Sequence, residues 1–172
     1  IKIADELQKR FAMFRNVEEL EQHIMQYRDI SQRQMKQNDY AIWGGNVVQI
    51  TSANEDRSYN VYIVEIQKSL QQVQCTHISL LTKGVLEACG FKKSTDSALY
   101  VCTINTADSF VLIEYAPIPM NRTCTITIQG NISSNQTCKN VQMLDELQEF
   151  VRMTTSLELP IDQKVLINAI RK

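Results

Sequence analysis

The sequence predicts an α+β domain: a long N-terminal amphipathic helix packed on an antiparallel sheet, with additional C-terminal helices. Three observations carry this. Leu7, Phe11, Phe14, Val17, Leu20, Ile24, Tyr27 and Ile30 recur at spacings of three and four, a single apolar stripe on a helical period. From residue 46 onward, short runs rich in β-branched and aromatic residues alternate with polar turn segments, the pattern of strands. Beyond residue 136 the chain reads as helical again, with Pro160 at a favoured first-turn position.

In chain order, residues 2–37 form the first helix. Its other faces carry Lys9, Arg10, Glu18, Glu19, Glu21 and Arg28, and no Gly or Pro interrupts it. Gln32 to Asn38 is polar on every face, so the helix frays or turns there. NVVQIT (46–51) and YNVYIVEI (59–66) form an antiparallel pair across the polar segment 52–58. Residues 70–88 carry Val73, His77, Leu80, Leu81 and Val85 at helical spacing and stop at Gly90. Strands follow at 98–104, 110–115 and 124–128, with Pro117 to Asn121 breaking the last two apart. Helices over 137–153 and 161–170 close the chain. The organisation is one domain, 1–172: an N-terminal helix (1–37), a sheet with its connecting helix (41–129), and a C-terminal helical extension (130–172).

Composition narrows the function. The chain has 172 residues, 44% hydrophobic and 22% charged, with 18 basic and 19 acidic side chains. A net charge of -1 gives no bulk attraction to nucleic acid or anionic membranes. No apolar run approaches the roughly 20 residues that span a bilayer. The chain opens on Ile1 without a signal-peptide pattern, as a processed or trimmed N-terminus would. Its cysteines are Cys75, Cys89, Cys102, Cys124 and Cys138, none in C-x-x-C spacing, and His23 and His77 lie far apart. That argues against a bound transition metal. It favours two bridges and one free thiol in an oxidising compartment over five reduced, buried cysteines.

Signs of catalysis are sparse. No glycine loop cradles a phosphate, and no G-x-S-x-G elbow occurs. Cys75 and His77, two residues apart on a predicted helix, point in different directions, and His77 reads as a packed core histidine. Glu18, Glu19 and Glu21, like Asp145, Glu146 and Glu149, read as solvated helix faces. No catalytic, cofactor-binding or metal-binding residue is expected, and the chain is read as a non-enzyme. Three sequons, at Asn121, Asn131 and Asn135, would mark an exposed surface in a eukaryotic secreted protein. Gly130 to Gln136 reads as a polar turn ahead of a helix, capped by Ser134 or Asn135.

The most distinctive segment is Ala41 to Cys75. Trp43-Gly44-Gly45 supplies an aromatic anchor and two sterically permissive residues. Two strands follow, then a cysteine in the first turns of a helix. This order resembles the type IVb pilin family, over roughly residues 1–90. The resemblance implies a pilin-like fold, in which Leu7, Phe11, Phe14, Leu20 and Ile24 lay an assembly helix on the sheet. It implies a non-enzymatic minor subunit of a bacterial type IV pilus, initiating or decorating the fibre. Partners would be other pilin subunits and pilus assembly proteins, with membrane contact only through a missing N-terminal segment. The location would be the periplasm or inner membrane before assembly and the extracellular pilus after it. It also implies a disulfide from Cys75 to Cys124, with Cys138 and Cys102 as other partners for Cys75. The sequence departs from the family in lacking the apolar first half of the helix, in a short interval before Trp43, and in its long C-terminal end. A bitopic assembly-platform protein, whose stem would dimerise, and a type II secretion pseudopilin are the alternatives.

Overall fold

A computed structural model of the chain describes residues 16–21, 34–131 and 133–171. The chain there is mostly β. Two five-stranded antiparallel sheets are accompanied by short helices. The expected α+β class, with a long helix packed on one sheet, is therefore corrected. Leu7, Phe11, Phe14 and Ile24 lie outside the described residues. Within the predicted first helix, residues 17–21 are helical, and Asn16 caps them by accepting a hydrogen bond from the Glu19 amide at 2.9 Å. A capping Asn marks a helix start, so 2–37 is not one uninterrupted helix. Residues 34–39 are not helical, and Asn38 has φ 73.

The first sheet has the order β4-β3-β2-β1-β5, with β1 Tyr40–Trp43, β2 Asn46–Ala53, β3 Tyr59–Ile63, β4 Lys68–Val73 and β5 Thr76–His77. Trp43 pairs with Asn46 across a two-residue turn in which Gly44 (φ 55) and Gly45 (φ 79) are both left-handed. That conformation matches the strand twist and demands residues that tolerate positive φ. A Cβ at Gly45 would meet nothing within 4 Å, so Gly45→Val tests the backbone alone. It is expected to cost about 1–2 kcal/mol of unfolding free energy, read from urea denaturation.

Both faces of this sheet are covered. Tyr40, Ile42 and Val47 enter the main core, while Ala41, Val48, Ile50, Tyr59, Val61 and Ile63 form a second cluster with Met35. Apolar residues on both sides explain why NVVQI reads as a nearly continuous apolar run. Trp43 and Cys75 pack at the margin of that second cluster. Trp43 is half-buried rather than the enclosed anchor its type suggested.

The second sheet has the order β10-β9-β8-β7-β6, with β6 Lys92–Lys93, β7 Tyr100–Asn105, β8 Ser109–Ala116, β9 Thr123–Gly130 and β10 Ser134–Cys138. Its inner face presents Tyr100 and Cys102, then Val111, Ile113 and Tyr115, then Cys124 and Ile126. Those residues share one core with three helices: α1 Lys83–Ala88, α2 Leu144–Thr155 and α3 Gln163–Arg171.

Two predicted helices are corrected. Residues 70–88 divide into β4, β5 and only then α1, capped by Thr82. Apolar side chains three apart mimicked a helix, but Gln72 takes φ 55 and breaks any helical path. Residues 134–138 are the edge strand β10, so 130–136 is a hairpin and not a helix cap. The following helix starts only at Leu144, after Asn140 turns the chain at φ 61. β1 carries little strand signal in the sequence because Ala41 and the Gly pair dilute its pattern. The strands read near 46–51, 59–66, 98–104, 110–115 and 124–128 correspond to β2, β3, β7, β8 and β9, and the last predicted helix to α3.

Candidate functional site

Helix α2 divides its faces sharply. Leu144, Leu147 and Val151 enter the core. Asp145, Glu149 and Arg152, spaced four and three apart, form a stripe on another face. Asp145 reaches β5, whereas Glu149 and Arg152 both reach residues 36–39. His77 Nδ1 of β5 lies 3.0 Å from Asp145 Oδ1. Lys36 pairs with Glu149. Arg152 donates to Asp39 Oδ1 at 2.8 Å, to Glu158 Oε1 and to the Gln37 carbonyl. Asp145, read from sequence as solvated, is instead an enclosed tie to β5, whereas Glu149 makes a part-exposed pair with Lys36 in the chain entering the first sheet.

His77 and Asp145 are almost enclosed, with side chains 10% and 4% exposed. A histidine oriented by a carboxylate is half of an acid–base machine, and here little of the ring reaches the surface. Among the described residues, no group of three or more His, Cys, Asp or Glu is placed to hold a metal ion. No helix among them is long and apolar enough to cross a membrane.

Asp39 shows the electrostatic cost of these ties. Burial raises its pKa above the ordinary carboxylate value, against the opposing pull of the Lys36 amide and the Arg152 guanidinium. A raised folded-state pKa means that the folded protein holds this proton more tightly than the unfolded chain. The contribution is thus fully present below the unfolded pKa and is lost as pH rises through the folded one. Asp39→Asn is expected to flatten the fall in stability with rising pH through that window. Urea unfolding across the acidic range measures it.

Among the described residues, the most enclosed ion pair joins distant segments. Arg122, in the loop ahead of β9, donates from Nε and Nη2 to the two carboxylate oxygens of Glu21, at 2.8 and 2.9 Å. The side chains are 6% and 0% exposed. Burial opposes the charge on Arg122, but the Glu21 carboxylate and the Tyr115 hydroxyl outweigh it and raise its pKa. Tyr115 also donates to the Val141 carbonyl at 2.6 Å, and burial pushes its own pKa up. From sequence Glu21 reads as part of a solvated helix face, and nothing local marks Arg122 as its partner. They stand 101 residues apart, so no local pattern could link them.

An open cleft of about 560 Å³ borders this scaffold, lined by Asn38, Tyr40, Gln49, Gln148 and residues 158–162. Its two carboxylates are already engaged. Glu158 binds Arg152, and Asp162 accepts from the Lys164 and Val165 amides at the start of α3.

No disulfide joins the five cysteines in this structure. Cys75 packs against the first sheet's second cluster, whereas Cys124 belongs to the main core on the second sheet. The structure does not bring together the pair implied by the pilin resemblance. Nor does Cys75 open a helix, since it lies between β4 and β5. Leu20 is buried, at 8% exposure. Asn121, Asn131 and Asn135 are all exposed.

The fold and the site together define an all-antiparallel two-sheet domain with buried charges bridging its elements. Compared with protein-family models, curated proteins and solved structures, the chain matches none.

Proposed function

We propose that the chain is a non-enzymatic subunit of a larger protein assembly, a β-sheet head whose work is contact with other chains. One observation carries this reading: the buried charges at Glu21, Asp39, Arg122 and Asp145 are committed to partners on other segments. Charges used as ties hold a shape, whereas catalysis needs such groups at a substrate-accessible surface. The surface offers apolar contact instead. Ile118 and Met120 are 56% and 46% exposed on the loop that leads into Arg122. Val17, 37% exposed, lies one helical turn before Glu21, the partner of Arg122. A bacterial pilus is the assembly that the sequence resemblance suggests. That narrower step now rests on the sequence alone, since the helix-on-sheet head it needed is replaced by two sheets.

The test is the size of the complex extracted from native cells, read by size-exclusion chromatography. The chain should elute with partners, and the Ile118→Ser/Met120→Ser variant should elute as a monomer with an unchanged Tm. Elution of the parent chain as a monomer would overturn the proposal.

A further inference from the structure

Four of the five cysteines fall into two neighbouring pairs. Cys124 and Cys138 stand directly opposite each other on β9 and β10. Opposed residues on antiparallel strands hold their Cβ atoms about 4.5–5.5 Å apart, a small adjustment away from the span of a disulfide. The second pair joins α1 to β7. Cys89 is the C-cap residue of α1. The Cys102 thiol lies 4.0 Å from the Cys89 carbonyl oxygen, and a Cβ at the intervening Gly90 would sit 3.5 Å from the Cys102 sulfur. Cys75 stays outside both pairs, on the first sheet.

We propose that the chain carries two intrachain disulfides, Cys89–Cys102 and Cys124–Cys138, and keeps Cys75 as its single thiol. In each closure two thiols lose two protons and two electrons, and one S–S bond forms. The electrons reduce a donor disulfide, that of a thiol–disulfide oxidoreductase or of oxidised glutathione, to two thiols. The route is a thiolate attack that makes a mixed disulfide, which the second cysteine then resolves.

The setting fixes when this happens. Burial, with a smaller push from the paired cysteine, raises Cys89 and Cys124 to about 12. A thiol is a poor nucleophile, so the bridges close before the core is fully packed and are shielded afterwards. Cys138 is only half-buried and is where an exchange partner can reach. Its bridge also pins β10, an exposed edge strand, to the rest of its sheet. An unpinned edge is a template for stray pairing.

The experiment refolds the full chain in a glutathione redox buffer, blocks free thiols with iodoacetamide under denaturing, non-reducing conditions, and maps tryptic peptides. The Cys75 peptide, 69–83, should be alkylated. The Cys89 peptide, 84–92, should be joined to the Cys102 peptide, 94–122. Peptide 123–139 holds both Cys124 and Cys138, so it should stay unalkylated and be two hydrogens lighter. Cys75→Ser should preserve both bridges, and Cys138→Ser should free Cys124 alone. A link between 69–83 and 123–139, or alkylation of all five cysteines, would overturn the assignment.

Discussion

Arg122→Met is expected to lower the unfolding free energy by about 3–5 kcal/mol, because it strands the Glu21 carboxylate in the interior. Glu21 is fully buried and receives both of its guanidinium hydrogen bonds from this one side chain. The same substitution removes a polar partner of the Tyr115 hydroxyl. Glu21→Leu combined with Arg122→Met should recover most of the loss, since replacing a buried pair with apolar groups is often close to neutral. Urea unfolding of the single and double variants reads the effect. A single variant with parental stability would mean that the pair does not tie the segment around residues 17–21 to the second sheet.

Leu147→Ala should cost about 2–5 kcal/mol. Leu147 is fully buried in the first turn of α2 and belongs to the core shared by both sheets and helices α1–α3. The cavity would open where the inner faces of the sheets meet the helix, with little freedom to collapse. The α2 stripe facing the other way would keep its partners, so near-parental helical circular dichroism with a reduced Tm is the expected signature. An unchanged Tm would remove α2 from the cooperative core.

The sequence disclosed the central strands well, because β2, β3, β7, β8 and β9 are rich in apolar and β-branched residues with clear turn signals between them. It disclosed the edges poorly. β4 (KSLQQV) and β10 (SNQTC) are polar and exposed, and their existence depends on a neighbouring strand rather than on their own pattern. Leu70, Val73 and His77 then fell at spacings that suit a helix, which moved the fold class toward α+β and Cys75 onto a helix it does not join. His77 was legible on its own, as an apolar-face histidine. It is a packed histidine, although its Asp145 partner lies 68 residues away. The charged ties were illegible for the same reason: Glu21 with Arg122 and Asp39 with Arg152 are joined by folding and by nothing local. The sequons were legible as exposed positions, while the turn they mark leads into a strand.

Both sheets and helices α1–α3 are expected to form one cooperative head, held by a common core and buried charge ties. Native-state hydrogen exchange tests it most directly. Amides of Val47, Ile50 and Val61 in the first sheet and of Ile113, Tyr115 and Ile126 in the second should share one protection free energy, equal to that of global unfolding. All six residues are at most 1% exposed, so differences in surface access do not enter. Exchange of one sheet at a markedly lower free energy while the other stays protected would contradict the claim and divide the molecule into independent units.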